Sequence, residues 1–338
     1  LTRIKTQILT ILLILSECIM NNQRTRRNTS ITRAVAIIAL LLAAAPVCAA
    51  QSAPQVLKVE PPNWWAGHSI NPVRVLVRGK NLAGARVEAR GSGLRVAGPV
   101  KVNASGSYLF VDVAIAPGAR PGPRSLRIIT RGGSADAAFE ITAPLPRRGR
   151  FQGIDRDDVL YLLMPDRFNN GDTSNDDPPG SKGLLDRSKG RYYHGGDLRG
   201  VIDKLPYLKD LGVTAIWLNP WYDNNDRLNE IEMPEGKPIT DYHGYGAVDF
   251  YAVDEHFGDM EMLREMVDKA HALGIKVIQD QVANHTGPYH PWVKDAPTPT
   301  WFNGTQADHI NETWQTWVLK DKYAPPEVMR PILDGWFL

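Results

Sequence analysis

The stretch LRGVIDKLPYLKDLGVTAIWL, residues 198–218, decides what kind of fold this chain builds. Val201, Ile202, Leu205, Leu208 and Leu211 recur at helical spacing, which predicts an amphipathic helix over 198–211. Gly212 stops it, and the short apolar run 213–218 predicts a buried strand. The same alternation extends outward. Residues 159–164 predict an earlier strand, 260–273 a second helix stopped by Gly274, and 275–278 a third strand. Strands alternating with helices imply parallel strands and an α/β domain. Three such strands precede a Trp- and Pro-rich stretch running to Leu338, whereas a closed parallel barrel needs eight. The expectation is an incomplete barrel.

Upstream the pattern changes. Between 51 and 142, β-branched runs at 73–77, 95–100, 108–115 and 125–130 are separated by turn signals such as Ala116-Pro117-Gly118. That spacing predicts a small β-sandwich of immunoglobulin type. Residues 144–150, rich in proline and charge, read as a linker. Residues 51–150 carry a net charge of +10 and 151–338 a net charge of −13, inside an overall +2. Opposite signs suit two domains that attract each other, or a partner subunit. Nucleic-acid binding is disfavoured, because the arginines are scattered along strands rather than clustered with aromatics. Trp64-Trp65 reads as either a sugar-stacking platform or a core and interface anchor; the second is more common for adjacent large aromatics, and the pair is left unassigned.

The first fifty residues do not read as fold. A basic stretch from Arg24 to Arg33 follows Met20, then come an apolar run at 34–45, Pro46 and Val47-Cys48-Ala49-Ala50. That order predicts a secretory signal peptide, and the run is shorter than the ~20 residues of a membrane span. Both cysteines, Cys18 and Cys48, lie in this region, which excludes a disulfide framework or a thiolate zinc core further on. The expectation is a secreted or periplasmic protein, without stable membrane insertion once the signal is removed.

In parallel α/β domains functional groups gather where strands end. After the first strand comes a loop dense in short oxygen donors, including Asn170, Asp172, Asn175 and Asp176. It could wrap a hard cation such as Ca²⁺, which takes six to eight oxygens at ~2.3–2.6 Å. A polar turn built on Asx hydrogen bonds explains the same composition equally well. After the second strand come Asn219-Pro220-Trp221 and Asp241-Tyr242-His243-Gly244-Tyr245, and after the third Asp280-Gln281-Val282-Ala283-Asn284-His285. Histidines, an aromatic ring and carboxylates at strand ends suit sugar binding. A lone histidine, by contrast, is more often structural.

Taken in order, these pieces resemble glycoside hydrolase family 13, the α-amylase family, near its cyclomaltodextrinase and neopullulanase members. The carrying motifs are Asp166-Arg167-Phe168…Gly195-Gly196-Asp197, the run 212–218, His243-Gly244-Tyr245 and Asp280…Asn284-His285. The β-rich segment resembles the N-terminal domain of that subgroup. The resemblance implies a calcium site from Asn170, Asp172, Asn175, Asp176, the Gly195 carbonyl and Asp197, and it favours the cation over the polar turn. It implies that Tyr245 stacks on the sugar beside the scissile bond, that His243 and His285 hydrogen-bond its hydroxyls, and that Asp280 orients its neighbours. Gln281 departs from the apolar residue usual in the family.

The domains then read as upstream residues plus signal peptide at 1–50, sandwich at 51–146, linker at 147–156, first part of a (β/α)₈ or TIM barrel at 157–283, and inserted loop domain at 284–338. The family reaction retains configuration through two carboxylates ~5–5.5 Å apart. By the resemblance these follow the fourth and fifth strands, with a third acid after the seventh, so nucleophile and general acid are expected beyond Leu338 and the chain as read is expected to be inactive. The full-length protein is expected to hydrolyse α-1,4-glucans: cyclodextrins, maltooligosaccharides or pullulan. Its partner is an α-glucan oligosaccharide, and a homodimer through the N-terminal domain stays open. The rival readings are a noncatalytic glucan-binding protein on the same scaffold and a related transglycosylase.

Overall fold

The computed structural model describes residues 52–144, 153–231, 233 and 236–302. The leader read in 1–50, most of the linker, and the loop-domain residues beyond 302 lie outside the described residues.

The N-terminal part consists of two facing sheets. One holds β1 (Gln55–Glu60), β3 (Val73–Lys80), β7 (Tyr108–Ile115) and β5 (Leu94–Val96) in that order, with β6 (Lys101–Val102) also paired to β7. The other runs β2 (Asn63–Trp65), β9 (Gly133–Thr142), β8 (Gly122–Thr130), β4 (Arg86–Arg90). Alternate residues point inward from each sheet. Val75, Val77, Leu109 and Val113 from the first meet Leu126, Ile128, Phe139 and Ile141 from the second in one buried cluster. Each such aliphatic side chain contributes about 1.5–3 kcal/mol when fully buried. The outward positions carry the arginines, in exposed pairs such as Arg74–Asp112 and Arg90–Glu88. Exposed pairs of this kind add little stability.

One sequence expectation needs correction here. The strand expected over 95–100 is broken: β5 stops at Val96 and pairing resumes at Lys101. Gly98, at φ +94°, and Pro99, which has no amide proton, interrupt the ladder. Trp64 and Trp65 lie on β2, paired in parallel with β9, and the Trp64 indole donates to the Ile70 carbonyl at 3.0 Å. They anchor the sandwich edge.

The second part begins with β10 (Leu160–Leu163), followed by helix α1 (Leu198–Asp210), β11 (Ala215–Leu218), the antiparallel pair β12 (Tyr222–Asp223) and β13 (Asp249–Val253), helix α2 (Met260–Ala272) and β14 (Lys276–Gln279). The strands β10, β11 and β14 lie side by side in chain order, all parallel. Asp197 and Asp259 cap the two helices at their N-termini, their carboxylates accepting from the Gly200 and Met262 amides. Both helices end on a glycine, and the following residue reaches back: the Val213 amide to the Leu208 carbonyl, and the Ile275 amide to that of Ala270.

The apolar stripe of α1 (Leu198, Val201, Ile202, Leu205, Leu208) and that of α2 (Leu263, Met266, Ala270) bury the same sheet face, the one carrying Leu163, Ile216 and Leu218. The opposite face carries Leu160, Leu162 and Trp217, which are 46%, 61% and 40% exposed. Among the described residues, the helices cover one side only of strands that are apolar on both, the arrangement of a singly wound rather than a doubly wound sheet.

All described residues belong to one compact unit. At the seam between its two parts, Lys58 of β1 forms ion pairs with Glu60 and with Asp249 of β13. Ser105 and Ser107 donate to the Asp295 carboxylate, and Phe110 lies 6.1 Å from Trp301. The contrast in charge between the two halves thus has a local counterpart in the Lys58–Asp249 pair.

Candidate functional site

The loops that leave the carboxyl ends of β10, β11 and β14 are tied to one another. Asp166, buried after β10, pairs with Arg167 and accepts the amides of His194 (2.8 Å) and Gly195 (3.2 Å). The Arg167 guanidinium in turn lies 3.9 Å over the Tyr242 ring. Asn219, directly after β11, donates its side-chain amide to the His243 carbonyl at 3.2 Å. Between His243 and Tyr245, Gly244 turns at φ +87° against Pro220, where any Cβ would overlap the Pro220 carbonyl. Glycine is required there, and the turn brings the imidazole and the phenol rings to 5.8 Å.

Four residues expected to meet the sugar come together. The Tyr245 hydroxyl donates to Asp280 Oδ2 at 2.8 Å, and its backbone amide donates to His243 Nδ1 at 3.1 Å. His285 Nε2 donates to the Tyr245 carbonyl at 3.1 Å, while the Asn284 side-chain amide donates to its Nδ1 at 3.2 Å. His243 therefore keeps its proton on Nε2. Burial, with the neighbouring His285, Arg167 and Arg191, lowers its pKa to about 4, so it is a neutral donor at physiological pH. Burial and then the bond to Asp280 push the Tyr245 hydroxyl up to about 12, so it stays a donor. The Tyr245 ring is 36% exposed and presents a flat apolar surface. His285 differs from expectation: both ring nitrogens already have protein partners, so a hydroxyl must displace one of them.

Sequence reasoning missed Trp217. Its indole N–H donates to Asp280 Oδ2 at 3.2 Å, alongside Tyr245. The available signal was its phase, since Trp217 falls on the strand face opposite Ile216 and Leu218.

The expected calcium ligands divide. Asn170, Asp176 and Gly195 are in contact: the Asn170 amide donates to Asp176 Oδ1 at 2.6 Å, and a Cβ on Gly195 would strike both side chains. The side-chain oxygens of Asn170 and Asn175 are buried with no hydrogen-bond partner. Two orphaned buried acceptors beside a carboxylate are the donor set a hard cation completes. Asp197 is turned inward instead, its carboxylate accepting the amides of Gly171, Asp172 and Gly200. Asp172 accepts from the amide and hydroxyl of Ser174.

A family model described as Alpha amylase, catalytic domain, matches residues 162–332, half of the chain. The chain belongs to the α-amylase family. A second model, described as Cyclomaltodextrinase, N-terminal, matches residues 58–144 of this α-amylase-family chain, the extent of the sandwich. The chain is similar to the Beta/alpha-amylase of Paenibacillus polymyxa, at 41% identity over 165 residues covering 46% of this chain and 13% of that protein. It is similar to Neopullulanase 2 of Thermoactinomyces vulgaris, at 42% identity covering 38% and 20% of the two chains. It is similar also to a Cyclomaltodextrinase of Thermoanaerobacter pseudethanolicus, at 43% identity covering 39% and 20%. The chain thus spans a fifth or less of the length of these curated relatives.

The α-amylase-family chain carries one feature that none of its motifs announced. Among the described residues, Asp223, Asp226 and Glu255 bring carboxylate oxygens within 4.8 Å of one another. Burial, then Asp254 and Glu255, raise Asp223 to about 8, and burial with Glu255 raises Asp226 to about 6. A carboxyl raised in this way holds its proton in the folded state between its unfolded and folded pKa values, and the unfolded chain does not. Its stabilising contribution is complete below about pH 4 and is lost as pH rises to about 8. Asp223→Asn is therefore expected to match the parent at pH 4 and to be more stable by on the order of 2 kcal/mol at pH 8. Urea unfolding at both pH values checks this, and an advantage that shrinks with rising pH contradicts it.

Proposed function

We propose that this α-amylase-family chain carries the glucose-gripping part of a glycosidase that hydrolyses α-1,4-glucans (cyclodextrins, maltooligosaccharides or pullulan) with retention of configuration. One observation carries the reading. His243, Tyr245 and Asp280, drawn from two loops 35 residues apart, are hydrogen-bonded into one cluster where parallel strands end, with the Tyr245 ring open to solvent. The names of the relatives are in keeping with it. The singly wound sheet supports an eight-stranded barrel, and the two-sheet core supports an immunoglobulin-like sandwich.

In this reading Tyr245 stacks on the glucosyl ring beside the bond to be cleaved. The His243 Nε2–H donates to a sugar hydroxyl, and its low pKa keeps it from presenting a cation there. Asp280, fixed by Tyr245 and Trp217, holds the Tyr245 ring in the stacking position. His285 exchanges its bond to the Tyr245 carbonyl for one to a hydroxyl. Retention needs two further carboxylates ~5–5.5 Å apart, one to attack the anomeric carbon and one to protonate the leaving oxygen. We assign neither to a residue of this chain.

Asn170, Asn175, Asp176 and the Gly195 carbonyl would hold Ca²⁺, with Asp197 bracing the loop backbone from beneath. The ion supplies a structural cross-link between the two loops. The basic, apolar and small-residue order of 24–50 supports export.

Isothermal calorimetry of maltoheptaose with the 338-residue chain tests the reading. Binding without release of reducing sugar is expected. Absence of binding refutes the glucan reading, and measurable turnover refutes the assignment of the reacting carboxylates elsewhere.

A further inference from the structure

His256 lies in the turn between β13 and α2 and is 2% exposed. Its ring is held on three sides. Nδ1 donates to the Asp176 carbonyl at 3.2 Å, and Nε2 lies 3.0 Å from the Ser181 hydroxyl. One face stacks on the buried Tyr193 ring, with centroids 3.8 Å apart and planes 10° from parallel. A carbonyl oxygen only accepts, so the contact with Asp176 places a proton on Nδ1. Ser181 Oγ is also 2.8 Å from Glu255 Oε1, which ties the far edge of the ring to the neighbouring residue. Stack and hydroxyl together fix the rotation of the ring, and with it the direction of the Nδ1–H.

These contacts reach both arms of the loop pair assigned to calcium. Asp176 belongs to the first arm, where its carboxylate accepts from the Asn170 amide at 2.6 Å. Tyr193 leads into the second arm, two residues before Gly195, whose backbone packs against the Asn170 and Asp176 side chains. Asp254 joins the two rings: Oδ2 accepts the Tyr193 hydroxyl at 2.9 Å, and Oδ1 accepts the His256 amide at 3.0 Å. The Leu198 amide, directly after Asp197, donates to the Phe257 carbonyl at 3.0 Å. Residues 254–257 thus abut both stretches that supply expected ligands.

A cation site gains affinity when its arms are set before the ion arrives, because less ordering is then left for binding to supply. Groups that orient ligands without touching the metal typically matter by ~10–100-fold in affinity. The Asp176 peptide is such a point of control. With its carbonyl turned to His256, its carboxylate stays beside Asn170, where one of the orphaned oxygens lies.

We propose that His256 is a positioning residue of the calcium site, holding the Asp176 peptide through its Nδ1–H while Tyr193 and Ser181 orient the ring. The proposal rests on the calcium reading above. It adds a residue that gives no oxygen to the ion and lies 80 residues from the peptide it holds.

Calorimetric titration of CaCl₂ into the chelator-stripped 338-residue chain tests this. The parent is compared with His256→Asn, His256→Gln and Asn170→Ala, and each calcium-free melting temperature is measured alongside. The asparagine amide nitrogen stands as many bonds from Cβ as Nδ1, so His256→Asn keeps the donor to Asp176. The glutamine nitrogen stands one bond further, as Nε2 does. Both variants lose the stack on Tyr193 and both are expected to melt lower. His256→Gln should weaken calcium binding by about tenfold or more, and His256→Asn by about threefold or less. Equal weakening by the two overturns the proposal, because the lost stack then accounts for the effect. Parental affinity in His256→Gln overturns it as well, and leaves the calcium site standing when Asn170→Ala abolishes binding. A parent that binds no calcium refutes the calcium reading itself, and the proposal with it. Should His256→Gln be unfolded without calcium, Ser181→Ala decides, since it frees the ring edge and keeps both donor and stack. A loss of roughly threefold or more in that variant supports the proposal, and an unchanged affinity overturns it.

Discussion

Tyr245→Ala is expected to weaken maltoheptaose binding roughly 30- to 150-fold, the largest effect of any single substitution in the cluster. The variant removes a half-exposed ring and the hydroxyl that fixes Asp280. An aromatic sugar-stacking face together with a hydrogen bond to a carboxylate accounts for about 2–3 kcal/mol, and each 1.4 kcal/mol is tenfold in affinity. Tyr245→Phe separates the two contributions. It keeps the ring and leaves Asp280 with the Trp217 indole at 3.2 Å, so a loss of roughly threefold to tenfold is expected. Calorimetry on both variants decides the matter. If Phe is as damaging as Ala, the hydroxyl and not the ring carries recognition. If Ala changes nothing, the sugar binds elsewhere.

Calcium is expected to raise the melting temperature of the chain by about 5–10 °C, and a chelator to reverse the rise. A ligand at a hundred times its dissociation constant stabilises by about 2.7 kcal/mol, and a domain of this size shifts by about 2–4 °C per kcal/mol. The response is expected to vanish in Asn170→Ala, which removes one of the orphaned buried oxygens, and to persist in Asp223→Asn. That contrast separates the Asn170 loop from the acidic trio, where carboxylates also crowd together. A rise that survives Asn170→Ala and disappears in Asp223→Asn places the ion in the trio and refutes the assignment.

Much of the α/β part was legible because its elements obey a single period. Leu198 through Leu208 repeat at helical spacing and bury one stripe, and the observed helix departs from the expected one only in that Leu211 becomes its cap. The sandwich was less legible. Residues 86–90 (RVEAR) form a strand with exposed arginines at both ends, and along 55–60 (QVLKVE) Gln55 and Leu57 face out while Lys58 is half-buried and Glu60 buried, which hides the alternation. Along Gly133–Thr142, the inward Ala137, Phe139 and Ile141 alternate cleanly, but glycine, serine and alanine dilute the strand signal at the start. Proline at 123 likewise masked the beginning of β8, whose edge the sequence reading put at 125.

The candidate site divides along the same line. Tyr245, Asp280 and the two histidines could be named from their motifs. Trp217 could not, because its partner Asp280 lies 63 residues away and a tryptophan in a buried strand looks like core. Tyr193, bonded to Asp254 across 61 residues and stacked 3.8 Å from His256, was invisible for the same reason.

By itself, the sequence determined the alternation of strand and helix, the change of character between the two parts, and the residue types available to grip a sugar, because each is a property of a few consecutive side chains and their spacing. Only the tertiary structure decided which of those side chains meet. The proton position on His243, the raised pKa of Asp223 and the orphaned oxygens of Asn170 and Asn175 all depend on burial and on charges brought together from distant segments. Desolvation and Coulomb interaction act through space, and no local pattern in the chain records them.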